Sequence, residues 1–285
     1  MDPRLRPYRS VLYIPGSKSR ALDKARSLPV DAIIFDLEDA VSPPEKEAAR
    51  TTLGEALGAG GYGNRMKIVR INGLDTQWGM EDARAVTQMP ADAVLLPKVG
   101  DPSDIEALAN VTGALPIWAM METPRAMLNA PAIAAHPVLQ GFVMGTNDLA
   151  KDLQARFRPD RLPLMTGLGL CVLAAKAEGK VIVDGVYNAF KDDDGLAAEC
   201  AQGLDMGFDG KTLIHPAQVD IANAAFAPSP DDIDLAHRQI AAFDAVQAAG
   251  QGVAVVDGRI VENLHVATAR EVLAKAKAIK VLQEG

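Results

Sequence analysis

Two short apolar runs in this chain lead straight into a carboxylate. Ile117–Met121 delivers Glu122, and Phe142–Met144 is followed within a few residues by Asp148. Past each run the chain can open a helix, Thr123-Pro124 by N-capping and by supplying proline at the first position. This is the pattern of strands carrying acids to one rim of a parallel sheet. Two such acids suit a hard divalent cation, because Mg²⁺ typically takes one or two protein carboxylates and fills its octahedron with water and substrate oxygens. Taken singly, Asp148 equally suits a plain helix cap.

Other groups of the same kind surround this pair. Ala32–Phe35 leads into Asp36, Glu38 and Asp39, carboxylates that repel one another and, away from solvent, need cations, a metal or placed donors; on an exposed loop they need nothing. Met66–Asn72 carries Arg70 near its end, either a salt-bridge partner for those acids or a permanently ionised donor for a developing oxyanion. Gly16-Ser17-Lys18-Ser19-Arg20, beside an expected helix start, has the composition of an anion site but not the spacing of a phosphate-binding P-loop.

The elements that must position these residues follow from the apolar runs. Ser10–Pro15, Ala32–Phe35, Met66–Asn72, Ala93–Lys98, the runs at 117 and 141, Lys180–Asp184 and Gly210–Pro216 read as strands. Segments such as Pro102–Thr112, Gly169–Glu178 and Gly195–Gly207 read as helices between them. About eight β-then-α units in succession is the count for a TIM (β/α)₈ barrel, and no glycine-rich dinucleotide fingerprint follows the first strand to favour an open doubly wound sheet. In a barrel the C-terminal strand ends share one face, which gathers Asp36, Glu38, Asp39, Arg70, Glu122 and Asp148 around one mouth. The expected division is a catalytic barrel over 1–228 and a C-terminal extension over 229–285. That extension reads as helix, hairpin and helix, with Asp257-Gly258 as the turn. A closed barrel has no place for it inside, so it must pack outside or on a neighbouring subunit. Asp192-Asp193-Asp194 reads as a solvated loop.

Composition sets bounds. At 285 residues with 48% hydrophobic and 5% aromatic residues, the chain suits Val, Ile, Leu and Ala packing rather than an aromatic-rich β-sandwich. A formal charge of −8 argues against a general nucleic-acid binder without excluding a local basic pocket for a phosphorylated ligand. No membrane span or signal-peptide core is seen, so a cytoplasmic protein is expected. Cys171 and Cys200 have neither disulfide nor zinc spacing and are expected to be buried thiols.

Taken in order, SVLYIPG (10–16), FDLEDAV (35–41), VRIN (69–72), Leu96-Pro97-Lys98, Glu122-Thr123-Pro124, GTNDL (145–149) and KTLIHP (211–216) resemble the HpcH/HpaI aldolase superfamily. Within it they are most similar to the citrate lyase β-subunit group, which takes in malyl-CoA and citramalyl-CoA lyases and malyl-CoA thioesterases. The resemblance implies a Mg²⁺-dependent barrel enzyme, with Mn²⁺ as the alternative ion, that acts on an acyl-CoA and assembles as a homotrimer or hexamer. It implies Glu122 and Asp148 as metal ligands, Arg70 as the oxyanion-stabilising residue, and Asp36, Glu38 and Asp39 as the acidic motif bracing the site. Pro15, Lys18, Arg20, Lys24 and Lys46 fall in the region that meets the CoA phosphates. In the lyases a base follows a hydrophobic pair in the C-terminal extension and reaches an adjacent subunit. The matching residue here is Glu262, where the family has aspartate, with Asp257 a weaker candidate. That extra methylene leaves two activities open, carbon–carbon cleavage of a malyl-CoA-type thioester to glyoxylate and acetyl-CoA, or hydrolysis to malate and CoA. The alternatives are a citramalyl-CoA or citryl thioester lyase, or an accessory subunit that binds an acyl thioester.

Overall fold

Period-two alternation decides what each strand presents to each side. In a computed structural model describing residues 6–248, 250 and 252–284, the apolar runs form β1 (Ser10–Pro15), β2 (Ala32–Asp36), β3 (Met66–Arg70), β4 (Ala93–Leu96), β5 (Ile117–Met121), β6 (Leu139–Met144), β7 (Val181–Asp184) and β8 (Gly210–Leu213). The strands are parallel and in sequence order, and β1 pairs with both β2 and β8 to close a TIM barrel. Around it lie α1 (Ser19–Ala25), α2 (Lys46–Ala59), α3 (Gly79–Val86), α4 (Pro102–Thr112), α5 (Pro124–Ala134), α6 (Thr146–Asp152), α7 (Met165–Ala177), α8 (Asp193–Met206) and α9 (Val219–Ala225).

One set of alternate residues fills the barrel: Val11, Ala32, Ile34, Met66, Ile68, Ala93, Leu95, Trp118, Met120, Val143, Val181 and Val183, all buried. Trp118 is the largest of them. The neighbouring strand β6 makes room for it with its register partner Gly141, where a Cβ would lie 2.9 Å from the indole ring. The other set, including Ile33, Phe35, Val69, Val94, Ile182 and Leu213, packs under the helices. On the outer face of β7 and β8 the apolar pattern breaks at Asp184 and Lys211, both fully buried. There Asp184 accepts from Arg161 Nη1 at 2.7 and 2.8 Å and from Lys211 Nζ at 3.1 Å, while Lys211 also reaches Glu199 of α8 at 2.7 Å. This ion cluster ties β7, β8, α8 and the loop before α7 together.

Three strands stop short of their apolar runs where backbone donors are lost to the ladder, in β3 one residue after Ile71 N–H, which still reaches Leu95 O at 3.2 Å. Asn72 N–H goes to Asp82 Oδ2 at 3.0 Å, Pro97 has no N–H to give, and Ile214 and His215 donate to Gln218 Oε1 at 3.0 and 3.2 Å. Asp192-Asp193-Asp194 is exposed, as expected, but opens a helix rather than forming a loop. Asp192 caps α8, accepting from Gly195 N–H at 3.0 Å, and the other two sit in its first turn, where the helix dipole favours negative charge. Cys171 and Cys200 are buried in α7 and α8, and burial pushes their thiols up to about 12 and about 11.

The chain divides into two compact units, the barrel from Tyr8 to Phe226 and a second from Ala227 onward with Arg6 and Pro7. In the second, α10 (Pro230–Ala248) packs on α11 (Asn263–Glu284) beside the antiparallel hairpin β9 (Ala254–Val256) and β10 (Arg259–Val261). Phe243, Ala254, Val261 and Val266 form its small core. Asp257 and Gly258 have φ of 52° and 74°, the paired left-handed backbone of a two-residue hairpin turn. Among the described residues no helix is long and apolar enough to cross a membrane.

Candidate active site

The alternation that fills the barrel also builds the site. One step beyond Ile34, Ile68, Met120 and Val143 on the same face come Asp36, Arg70, Glu122 and Gly145, so the last inward layer at the C-terminal rim is polar where the layers below are apolar. Asp36 and Arg70 are register partners on β2 and β3. Arg70 Nε and Nη2 donate to the two oxygens of Asp36 at 2.7 and 2.6 Å. Asp36 also accepts from the backbone N–H groups of Glu38 and Ala40 at 2.9 Å each, so both oxygens are fixed from two sides. The Arg70 guanidinium lies 4.9 Å from the centre of the Tyr13 ring. Burial disfavours its charge, but Asp36, Tyr13 and Glu38 outweigh that and hold it well above the ordinary arginine value.

Glu38 completes this side. Its Oε2 is 2.8 Å from Arg70 Nη1 yet has no partner in hydrogen-bonding geometry. Burial, opposed by Arg70 and reinforced by Asp39, Glu122 and Asp36, pushes its carboxyl up to about 8. Asp39 is exposed and stands 3.6 Å from Arg70 Nη1.

On the opposite side, Glu122 follows β5 and is 1% exposed. Its Oε1 accepts the backbone N–H of Lys98 at 2.7 Å, and burial raises its carboxyl despite the nearby Lys98 charge. Thr123 then caps α5, accepting from Ala126 N–H at 3.1 Å, with Pro124 at the first helical position. Asp148 lies in the first turn of α6, whose N-cap is Gly145 with no side-chain cap bond, so this acid is not spent as a cap. Lys98 Nζ stands 3.0 Å from Asp148 Oδ1 and 3.5 Å from Glu122 Oε1. Gly145 is required here because a Cβ would fall 2.4 Å from Glu122 Cβ and 2.7 Å from its Oε2.

A single ammonium in reach of both carboxylates marks the spot as one arranged for positive charge. Both donors are hard oxygens, as Mg²⁺ prefers. Among the described residues no group of three His, Cys, Asp or Glu gathers to hold a metal, so any such ion would draw its remaining ligands from water and substrate. The residues present fit a magnesium site of that open kind.

The basic residues separate. Lys18 is exposed and pairs with Glu45 at 3.1 Å; Arg20 and Lys24 are exposed on α1, four residues apart and so on one face. Pro15 ends β1 opposite Asp36. Lys46 differs: it is buried, and its ammonium donates to Leu37 O, Glu38 O and Asn72 Oδ1 at 3.1, 2.9 and 2.6 Å. It has no donor left for a phosphate and instead braces the acidic loop. Glu262 follows β10 and is exposed, its carbonyl accepting the N–H groups of His265 and Val266 in the first turn of α11. Asp257 is exposed and accepts from Arg238 Nη1 at 2.8 and 2.7 Å. Sequence reasoning gave no role to Lys98, Tyr13 or Gly145; the Leu96-Pro97-Lys98 motif was the available signal for the first.

Comparison with known proteins identifies the family. The family HpcH/HpaI aldolase/citrate lyase matches residues 9–216. The chain is 64% identical over 279 residues, 98% of each chain, to a (3S)-malyl-CoA thioesterase of Cereibacter sphaeroides. It is 32% identical over 293 residues, 99% of this chain and 97% of the other, to the citrate lyase subunit beta of Escherichia coli. Among solved structures it is similar to the CitE protein of Mycobacterium tuberculosis in complex with magnesium, acetoacetate and coenzyme A, with a TM-score of 0.79, 26% identity and coverage of 96% of this chain and 99% of that one. The same organism's citrate lyase beta subunit with oxaloacetate and magnesium gives a TM-score of 0.71 at 28% identity, covering 80% of this chain and all of that one. The chain is an enzyme that belongs to the HpcH/HpaI aldolase/citrate lyase family.

Proposed function

We propose that this enzyme hydrolyses a 2-hydroxy-dicarboxylic acyl-CoA of the (3S)-malyl-CoA type to malate and CoA, with Mg²⁺ as cofactor. The observation that carries the choice of hydrolysis is the end-to-end 64% identity to proteins named (3S)-malyl-CoA thioesterase. Glu122 and Asp148 would hold the metal, which when bound supplies Lewis-acid polarisation and an anchor for the oxygens of the hydroxy acid. The Lys98 N–H fixes one oxygen of Glu122 in advance, and Gly145 keeps the space beside the other clear.

Arg70 serves the reacting thioester. When water adds to the thioester carbon, negative charge develops on the carbonyl oxygen, and a donor already in place stabilises that charge more than the ground state. Asp36 occupies Nε and Nη2, so the guanidinium plane is set and Nη1 is the edge offered to substrate. A carboxylate takes the water proton, the carbon–sulfur bond breaks and CoA leaves as thiolate. Glu262, to which the family likeness gives the role of base, is the candidate acceptor; Glu38, beside Nη1 and kept protonated by burial up to about pH 8, is placed to donate rather than to accept. Lys18, Arg20 and Lys24 are assigned to the CoA phosphates; Lys46 is not. The same likeness supports a homo-oligomer, a trimer or hexamer, built from barrels that carry the C-terminal unit as an extension.

Carbon–carbon cleavage is the second reading, favoured by the 32% identity to citrate lyase subunit beta. A thiol-release assay with (3S)-malyl-CoA tests the first. Mg²⁺-dependent release of one thiol per malate, abolished in Asp148→Ala, is expected; equal release by Asp148→Ala would remove the metal from the account.

A further inference from the structure

Lys98 has left-handed backbone, φ 55°, a conformation that a lysine keeps only where its surroundings hold it. What it achieves here is visible in its contacts. The N–H points at Glu122 Oε1, 2.7 Å away, while the side chain turns back so that Nζ stands 3.0 Å from Asp148 Oδ1 and 3.5 Å from Glu122 Oε1. One residue thus presents two donors to the same pair of acids, and the two differ in mobility. The amide is fixed in the backbone. The ammonium ends a flexible stem and the side chain is 45% exposed, so it can withdraw into solvent without opening the core. Without a cation the two carboxylates would repel each other, one of them buried.

On the footing that Glu122 and Asp148 form the divalent site, we propose that the Lys98 ammonium is a built-in counter-cation that occupies the pair in the metal-free enzyme and is displaced when a divalent ion binds. The Lys98 amide stays on Glu122 throughout. The arrangement keeps the acids in register before loading and weakens metal affinity by the interaction that must be given up, so the ion exchanges readily.

The test is direct Mn²⁺ binding, read by electron paramagnetic resonance of the free ion, to the full chain as wild type, Lys98→Asn and Lys98→Arg. Asparagine tolerates left-handed backbone and removes the charge; arginine keeps the charge. Lys98→Asn should bind about five- to a hundredfold more tightly, the usual span of coupled equilibria, and Lys98→Arg should stay near wild type. Without divalent ion Lys98→Asn should melt below wild type, and Mn²⁺ should restore it. If Lys98→Asn does not fold, Lys98→Gly, which fits this backbone freely, takes its place. Affinity unchanged or weakened in the neutral variant overturns the inference while leaving the metal site standing. No Mn²⁺ binding by wild type or variant removes the metal site itself, and the inference with it.

Discussion

Asp36 and Arg70 are paired twice, once as register partners on neighbouring strands and again through two side-chain hydrogen bonds of 2.7 and 2.6 Å. The ladder sets the distance between their Cα atoms and the fork-to-fork geometry sets the guanidinium plane, so the orientation of Arg70 needs no bound ligand. Arg70→Lys keeps the charge but loses the fork, and kcat should fall about 10²- to 10³-fold, the usual cost of a lost oxyanion donor. Asp36→Asn should lower the folding free energy by about 3–5 kcal/mol, because it leaves a buried guanidinium uncompensated. Steady-state kinetics and denaturant melts check both.

Glu38 gives a pH signature. Burial moves its carboxyl from 4.5 to about 8, so the folded enzyme holds a proton that the unfolded chain releases between those values. Its contribution to stability is therefore complete below about 4.5 and is lost as pH rises to about 8, with a slope of up to about 1.4 kcal/mol per pH unit. Glu38→Gln, permanently neutral, should remove that slope. Denaturant titrations of both proteins from pH 5 to 8 measure the difference, and parallel curves would mean that Glu38 is ionised throughout.

Asp184 runs the other way and lies outside the barrel. Burial alone would raise its carboxyl, but Lys211 and Arg161 overcome that and hold it below its ordinary value. Its stabilisation is present above the unfolded value of 3.8 and is lost as pH falls through the lower, folded value. Asp184→Asn should destabilise by about 3–5 kcal/mol, since two buried cations lose their shared partner. In the fraction that folds, Mn²⁺ affinity should be unchanged, which separates this brace from the site.

Gly145→Ala tests the space beside Glu122. The added Cβ would fall 2.4 Å from Glu122 Cβ, so the glutamate must move. We expect a stability loss of about 1–3 kcal/mol with Mn²⁺ affinity down at least about tenfold. Calorimetry and a melt decide it.

How much of this could be read from sequence depends on what each residue's role rests on. The eight strands and the shared mouth were legible because apolar runs ending in Asp36, Arg70, Glu122 and Asp148 are local patterns that barrel closure brings together. Lys46 was misplaced since a cation after Pro43-Pro44-Glu45 looks like surface. Its burial comes from three acceptors, one of them Asn72, far along the chain. Tyr13, inside an apolar run, reads as core, and only the neighbouring strands reveal that its ring lies under Arg70. Lys98 was opaque for a different reason: its role follows from a left-handed φ that no lysine advertises. Asp192 is solvated charge as its sequence suggests, but its capping role is visible only with the helix behind it.

Product partition tests the central claim most directly. Purified enzyme with Mg²⁺ and (3S)-malyl-CoA, quenched early and resolved by mass spectrometry, should yield free CoA and malate in equal amounts without acetyl-CoA. Acetyl-CoA with glyoxylate as the early products would contradict hydrolysis and make the same residues a lyase site.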